Sequence, residues 1–164
     1  MAVGNAVLLT NDKSGKKQDR IYFSGGTPGT LNGSTEFGFV LPRDPNNGSD
    51  ASWKLTDVIL RVGTNTTHSD GVITISVEKN DDGGTSALTT APAISDDAGT
   101  GNRSTKAAAT GITLAVVKTD ADGEFDEGDL AFVTLTETGS GGTDPSDVFF
   151  ELEFTRQQDF NPTA

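Results

Sequence analysis

Residues 53–79 hold two apolar runs on either side of a polar loop, and the second run constrains the fold most strongly. There Ile73, Ile75 and Val77 alternate with polar residues. Successive side chains of a strand point to opposite faces, so a strand buries these three residues together, whereas a helix would scatter them around its axis. The pattern predicts a β-strand with one buried face, and we interpret the region as the nucleus of an antiparallel β-sandwich.

The first run alternates with one interruption. One face holds three apolar residues, Val58, Leu60 and Val62. Trp53 and Leu55 join that face only if an extra residue near Thr56 and Asp57 shifts the phase, which predicts a β-bulge. The connection of eight residues to the next strand, 63–70, is longer than a tight hairpin turn. The two strands are therefore predicted to lie in different sheets.

Twenty glycines and many Thr, Ser, Asn and Asp residues leave little room for helices. Alternating or β-branched stretches predict further strands at residues 20–24, 36–41, 91–95, 128–137 and 147–155, and a first strand or extended arm at 5–10. Residues 25–34 are predicted to be a flexible connection. In the segment 106–118 an alanine triplet could start a helix, but Ile112, Leu114 and Val116 resume the strand alternation.

About eight strands with long connections predict an all-β fold, an antiparallel two-sheet sandwich of the jelly-roll type, in which successive strands often cross between sheets. An immunoglobulin-like sandwich is the alternative, with a poorer fit because its strands are joined by shorter turns. A length of 164 residues fits one domain. We predict an N-terminal arm at 1–20, a sandwich domain at 21–155 and a C-terminal tail at 156–164.

The overall charge restricts the partners that the chain can have. A formal net charge of −12 repels nucleic-acid backbones and anionic lipid surfaces, so neither nucleic acid nor membrane is a predicted partner. The chain has no cysteine, which excludes disulfides and thiolate metal sites and fits assembly in a reducing cytoplasm. No signal peptide and no apolar stretch of spanning length is visible.

The first twenty residues differ in charge from the rest. They carry four basic residues, Lys13, Lys16, Lys17 and Arg20, against two acidic ones, a balance of +2 that leaves −14 for the remainder. One interpretation is a solvated loop, and the other is a docking arm for an acidic surface. The C-terminal tail adds one aromatic residue, Phe160, and we predict that these five residues contact a partner.

The acidic segment 118–129 is a candidate calcium site. Clustered carboxylates around a glycine turn, here Asp120, Asp122 and Asp126, supply the oxygen ligands that calcium prefers. The spacing departs from an EF-hand, because Lys118 stands where the first carboxylate belongs and no helices are predicted to flank the segment. The alternative is a solvated turn before a strand, which we favour, and no cofactor is predicted.

No catalytic constellation is apparent. His68, the only histidine, lies in a polar loop and is interpreted as a surface residue, so neither a histidine-based triad nor a histidine-rich metal enzyme is predicted. Trp53 and Tyr22 could form the flat aromatic platform of a sugar-binding sandwich. Trp53 stands at the start of a core strand, however, and is predicted to be a packing residue. We therefore predict a chain that is not an enzyme.

Several stretches resemble those of a known family. They are W-K-L-T-D-V-I-L-R-V-G-T from Trp53, D-G-V-I-T-I-S-V-E-K-N from Asp70, A-I-S-D-D-A-G from Ala93, F-D-E-G-D-L-A-F-V from Phe125 and V-F-F-E-L-E-F from Val148. This layout, over about residues 50–155, is similar to that of the small jelly-roll decoration, or cement, proteins of tailed bacteriophage heads.

The resemblance implies a non-enzymatic structural protein with no catalytic residues. Such a protein binds the major capsid protein on the outside of an assembled capsid, commonly as a homotrimer, and strengthens the joints between capsomers. Its expected location is the virion surface, after assembly in the host cytoplasm. The alternative is a carbohydrate- or receptor-binding sandwich module of a phage fibre or of a glycoside-active protein.

Overall fold

The computed structural model describes residues 20–42, 52–80 and 84–157, together with the backbone of the first strand. The strands are β1 (Val3–Val7), β2 (Arg20–Thr30), β3 (Ser34–Val40), β4 (Ser52–Thr64), β5 (Ser69–Lys79), β6 (Thr85–Ser86), β7 (Leu88–Thr90), β8 (Ala93–Ser95), β9 (Arg103–Ser104), β10 (Ile112–Thr113), β11 (Val116–Val117), β12 (Glu124–Asp126), β13 (Leu130–Ser140) and β14 (Ser146–Gln157). Two short 3-10 helices occupy Asp96–Ala98 and Ala121–Gly123. Within the described residues, neither helix has the length and apolar character needed to cross a bilayer.

The strands form two large antiparallel sheets. Sheet A has the order β1-β2-β14-β4-β12 with β9 beside β4, sheet B has the order β10-β8-β5-β13-β3 with β6 beside β5, and β7 pairs with β11 in a small third sheet. Strands β2, β3, β4 and β5 pair in turn with β14, β13, β12 and β8. This is one long antiparallel hairpin rolled into two layers, which is the jelly roll. The predicted fold is confirmed, and β4 and β5 lie in different sheets as predicted.

The core lies between the two sheets, and the predicted alternation places its residues. The residues predicted to face inward on β3, β4, β5 and β14 are all buried: Phe37, Phe39, Leu41, Trp53, Leu55, Val58, Leu60, Val62, Ile73, Ile75, Val77, Val148, Phe150, Leu152 and Phe154. Their neighbours on the other face include Val40, which is 64% exposed, and Phe149, which is 42% exposed. The period of two therefore decides which apolar residues enter the core, and Ile59, on the outer face of β4, is the exception that is buried outside it.

The predicted bulge in β4 is confirmed. Glu153 on β14 pairs with Asp57, and the next residue, Phe154, pairs with Leu55, so Thr56 is the extra residue. Thr56 and Asp57 are both exposed, whereas their neighbours Leu55 and Val58 are buried. The bulge keeps both halves of the strand facing the core.

Two sequence-based predictions are wrong. Residues 25–30 are part of β2 and not of a flexible connection, because the strand continues to Thr30. A Cβ on Gly25 would lie 2.7 Å from Cζ of Phe150, so the glycine leaves room for the aromatic ring. In the segment 106–118, Leu114 and Val116 are exposed, because the chain forms two short strands in different sheets and not one alternating strand.

Two smaller predictions have different outcomes. The strand predicted at 91–95 is confirmed by β8, which buries Ile94. Near the N-terminus a strand forms at Val3–Val7, where residues 5–10 were predicted, and it pairs with β2 at the edge of sheet A. Part of the predicted N-terminal arm is thus a strand of the sandwich.

The sandwich has two distinct ends. At one end, which we call the loop end, lie the connections 31–33, 65–68 and 141–145 that follow β2, β4 and β13. At the opposite end, which we call the terminal end, β2 and β4 begin and β14 finishes. There Thr155 pairs with Arg20 on one side and with Lys54 on the other.

Candidate functional site

Hydrogen bonds tie the connections of the loop end to one another. The Thr67 amide donates to the Thr143 carbonyl at 3.1 Å, and the Thr143 amide donates to Oγ1 of Thr67 at 2.9 Å. Nδ2 of Asn32 donates to Oδ2 of Asp144 at 2.9 Å. Three connections that are far apart in sequence therefore meet in one polar network.

His68 lies at the centre of this network. The sequence-based interpretation as a surface residue is wrong, because His68 is only 8% exposed. The Gly142 amide donates to Nδ1 at 2.9 Å, and Nε2 lies 2.7 Å from Oδ1 of Asp144. Since Nδ1 accepts a hydrogen bond from an amide, the proton of the neutral ring is on Nε2 and is donated to the carboxylate.

Gly142 brings the two loops into close contact. A Cβ at this position would collide with the backbone carbonyl of Thr67. We expect Gly142→Ala to lower the free energy of unfolding by about 1–3 kcal/mol, because the clash forces the backbones apart and weakens the amide bond to His68. Urea denaturation measures the loss. The matched control is Gly141→Asn, where φ is +83° and nothing lies within 4 Å, so asparagine should be tolerated. Equal losses in both variants would contradict this account.

Glu137 completes the cluster from strand β13. It occupies the inward-facing position after Leu135, and it is 8% exposed. Its Oε1 lies 3.7 Å from Nε2 of His68, is fully buried and has no hydrogen-bond partner. Burial raises the pKa of Glu137, while the nearby His68 ring lowers it. The site thus contains a carboxylate oxygen whose loss of water is not compensated by a hydrogen bond.

The pKa values of the other two residues of the cluster, His68 and Asp144, are shifted in opposite directions. The hydrogen bond to Asp144 raises the pKa of His68, burial of the ring opposes the rise, and the Glu137 carboxylate adds to it. The Gly142 amide, which donates to Nδ1, also opposes protonation of that nitrogen, but the Asp144 and Glu137 carboxylates outweigh it and the pKa of His68 is raised. Hydrogen bonds from His68 and then Asn32 lower the pKa of Asp144. The arrangement favours an imidazolium held between two carboxylates.

These shifts predict how stability depends on pH. The raised pKa of His68 stabilises the fold below its ordinary value of 6.5, and that contribution is lost as the pH rises through the folded-state pKa. The raised pKa of Glu137 also stabilises the fold at low pH, and its contribution is lost as the pH rises above 4.5. The lowered pKa of Asp144 acts in the opposite direction: its contribution is present above pH 3.8 and is lost as the pH falls below that value. We expect the free energy of unfolding to fall as the pH rises above about 6.5 and through the raised folded-state pKa of His68.

Urea denaturation across that range tests the expectation, with His68→Gln as the control that lacks the titrating ring. The wild-type protein should lose stability relative to this variant as the pH rises. If the free energy of unfolding of the wild type, minus that of His68→Gln, stays constant or increases as the pH rises, the assigned direction of the His68 pKa shift is contradicted.

The cluster also has the composition of a metal site. The ligand atoms of His68, Glu137 and Asp144 all lie within 4.8 Å of one another, and no other such group of three occurs among the residues that the structure describes. The chemistry available here is proton exchange or metal coordination by one nitrogen and two carboxylates.

The candidate calcium ligands have other contacts. Oδ1 of Asp120 accepts the amide of Asp122 at 3.1 Å at the start of a 3-10 helix, and Oδ2 of Asp122 lies 2.7 Å from Nζ of Lys118. The amide of Asp126 donates to Oδ2 of Asp129 at 2.9 Å. The structure does not bring Asp120, Asp122 and Asp126 together as a ligand group within the described residues.

The residues predicted to contact a partner fall mostly outside the described ranges. Lys13, Lys16, Lys17 and Phe160 all lie there. Arg20 is described, and its Nη1 lies 3.3 Å from Oε1 of Glu153 at the terminal end.

The two candidate platform aromatics are separated in the structure. Trp53 is buried in the core, and its Nε1 donates to the Pro42 carbonyl at 3.0 Å, so its prediction as a packing residue is confirmed. Tyr22 is half-buried on the outer face of sheet A. Phe149, which the sequence analysis did not consider as a binding residue, is exposed on that same face.

Comparisons with known proteins give no match: no protein-family model fits the sequence, and neither the curated proteins nor the solved structures contain a significant relative.

Proposed function

We propose that this chain is a non-enzymatic structural protein that binds the outer surface of an assembled phage capsid and stabilises the joints between capsomers. In this proposal its partner is the major capsid protein, and the chain acts as a homotrimer on the virion surface. The jelly-roll topology is compatible with the family that the sequence resembles. Fold alone does not determine function, so the proposal depends on where the candidate contact segments join the sandwich.

The main support comes from the pairing at the terminal end. The basic N-terminal segment leads into Arg20, and Arg20 pairs with Thr155 on the neighbouring strand. The C-terminal tail begins at the next residue, Arg156. Both candidate contact segments therefore join the fold side by side at one end of the sandwich. Two contact segments that join the fold at one place increase each other's effective concentration at a repeating surface.

The burial and hydrogen bonding of His68 support a structural role for this residue and not a catalytic one. Both ring nitrogens of His68 are engaged in hydrogen bonds, and the residue is 8% exposed. A general base must reach the proton that it abstracts, and this ring is held inside a loop junction. Its position fits a structural role, in which it fixes the connections of the loop end.

Binding to empty heads tests the proposal. The probe is heads assembled from the major capsid protein encoded in the same genome, mixed with the purified full chain and sedimented. We expect truncation of residues 158–164, or replacement of Lys13, Lys16 and Lys17 by glutamine, to lower occupancy at least about tenfold, since two weak contacts act together. The glutamine variants leave β1 and the sandwich unchanged.

The matched control is Lys106→Gln, which removes an exposed lysine far along the chain from both segments. Its occupancy should equal that of the wild-type chain. Undiminished binding of both segment variants would retire the proposed attachment mode, and the absence of a major capsid gene from the genome would retire the function.

A second candidate is a carbohydrate- or receptor-binding module, and the outer face of sheet A favours it. Phe149 is 42% exposed there, and Tyr22 shares the face because it pairs with Glu153, which lies on the same side of β14 as Phe149. Exposed aromatic rings are common sugar-stacking surfaces. Glycan-array binding that disappears in Phe149→Ala and Tyr22→Ala would establish this function, and binding by neither wild type nor variants would exclude it.

A further inference from the structure

The cluster at the loop end has more negative charge than its own contacts balance. Glu137 and Asp144 place two carboxylates around one imidazole, and His68 is the basic residue within ion-pair distance of both. Oε1 of Glu137 is buried without a hydrogen-bond partner and points towards Nε2 of His68 at 3.7 Å. A buried carboxylate oxygen without a hydrogen bond is costly, and the one imidazole shared with Asp144 offsets that cost only in part, so a bound cation would add stabilisation.

We propose that His68, Glu137 and Asp144 form a binding site for one divalent transition-metal ion of the zinc type. One ligand atom from each of the three residues lies within 4.8 Å of the others, and we assign Nε2 of His68, Oε1 of Glu137 and Oδ1 of Asp144 as these atoms from the two short contacts of Nε2. The site lies at the opposite end of the sandwich from the candidate capsid-binding segments and is independent of the proposed function.

The distances need only small changes to accept a metal. Nε2 lies 2.7 Å from Oδ1 of Asp144 and 3.7 Å from Oε1 of Glu137. Ligands about 2.0–2.2 Å from a tetrahedral ion are separated from each other by about 3.3–3.6 Å. The first pair must open by under about 1 Å and the second stays almost unchanged, while the two carboxylate oxygens, which lie within 4.8 Å of each other, close by at most about 1.5 Å.

The ligand types select the class of metal. Calcium and magnesium take oxygen ligands, whereas an imidazole nitrogen with two carboxylates suits zinc, manganese, iron or cobalt. A fourth position remains for water. The side chain of Asp144 is 24% exposed, while that of Glu137 is 6% exposed, so an ion reaches the site past Asp144.

Binding requires a change of tautomer in the histidine ring. The proton on Nε2 must leave before that nitrogen can coordinate a metal, and in the neutral ring it moves to Nδ1. The Gly142 amide then loses its acceptor, and a backbone hydrogen bond with Ser140, which already favours a protonated ring, is available to the new Nδ1 proton. A carbonyl acceptor behind the ring is the usual support for a metal-bound histidine. The neutral ring releases no proton overall, and a charged ring releases one.

Metal binding would also stabilise the loop end. His68 belongs to the connection after β4, Asp144 to the connection after β13, and Glu137 to β13 itself. An ion that bridges them joins elements that hydrogen bonds already hold together, and it stabilises the folded state by mass action. The expected sign is a higher melting temperature with metal.

The single histidine makes the test direct. The full chain, first dialysed against chelator, is titrated with zinc chloride while the imidazole nitrogens are followed by NMR. We expect one set of shifted signals at one equivalent, a change from the Nε2–H to the Nδ1–H tautomer, and a higher melting temperature. Calcium chloride should leave the ring signals in place. Ring signals that do not move at millimolar zinc would overturn the proposal.

Two variants separate this site from adventitious binding. Glu137→Gln keeps the shape of the side chain and removes its charge, and it should weaken zinc binding at least about tenfold in calorimetry. Asp122→Asn is the control: it removes a carboxylate that pairs with Lys118 in the acidic segment 118–129, and this variant should bind zinc as the wild type does. If Glu137→Gln does not fold, Asp144→Asn takes its place. Zinc binding that is unchanged in the charge-removing variant would contradict the assigned ligands.

Discussion

Deletion of Arg61 is expected to abolish stable folding, whereas deletion of Thr56 from the same strand is expected to preserve the fold. Leu60 and Val62 flank Arg61 and are both buried. Without Arg61 they become neighbours in the chain, and neighbouring residues of a strand point to opposite faces, so they cannot both face the core. A one-residue slip that uses up the bulge would turn Val58 and Leu60 outward. It would also bury the carboxylate of Asp57. The same slip turns Ile59 inward in place of Leu60, but the Asp57 carboxylate replaces Val58. Losing one core side chain costs about 1.5–3 kcal/mol and burying a charge costs several kcal/mol more, which together approach the lower end of a whole stability of about 5–15 kcal/mol.

Thr56 is the bulged residue, and its removal leaves Leu55 and Asp57 in regular alternation across β14. The loss should be limited to the bonds of the Thr56 hydroxyl with the Glu153 carbonyl at 3.1 Å, with Oε1 of Glu153 at 3.3 Å and with Oγ1 of Thr155 at 3.3 Å. We expect a cost of about 1–2 kcal/mol. Circular dichroism and urea denaturation of the two single-residue deletions measure the difference. A folded protein without Arg61, or an unfolded one without Thr56, would show that register does not depend on the bulge.

Phe154→Ala is expected to lower the free energy of unfolding by about 3–5 kcal/mol, because it leaves a large cavity in the core against the inner face of sheet A. Phe154 is fully buried on β14 and meets two rings edge-on, Phe23 at 5.7 Å and Phe125 at 5.3 Å. These rings come from β2 and β12, so one side chain joins three strands of the sheet.

Phe149→Ala is the matched control, since Phe149 lies on the same strand with 42% of its surface exposed. Its loss should be about 1 kcal/mol or less. Urea denaturation of both variants gives the comparison. Similar losses for the two would mean that the inner and outer faces of β14 have been assigned wrongly.

The fold was predictable because the relevant signals are local. Alternation in β3, β5 and β14 identifies the buried face of each strand, and the phase shift at Thr56 identifies the bulge. The segment 106–118 was predicted wrongly for a physical reason: it crosses between layers, so no single sheet imposes a period of two on it. Pairing with β14 also kept Gly25 and Gly26 in β2, which sequence alone could not indicate.

The candidate site was less predictable because it forms from residues distant in sequence. Glu137 gave a usable signal, since it has the same parity as Ala131, Val133 and Leu135 on a predicted strand, which places a carboxylate on the buried face. His68 and Asp144 lie in polar loops, and nothing in their local sequence indicates that they meet. Only the jelly-roll pairing brings those two connections to the same end of the sandwich.

The proposed attachment is tested most directly by electron cryomicroscopy of empty heads incubated with the full chain. The account predicts added density on the outer surface at the joints between capsomers, with the terminal end of the sandwich, where Arg20 and Thr155 pair, facing the shell. Heads that stay bare, or chains bound with the loop end against the shell, would contradict it.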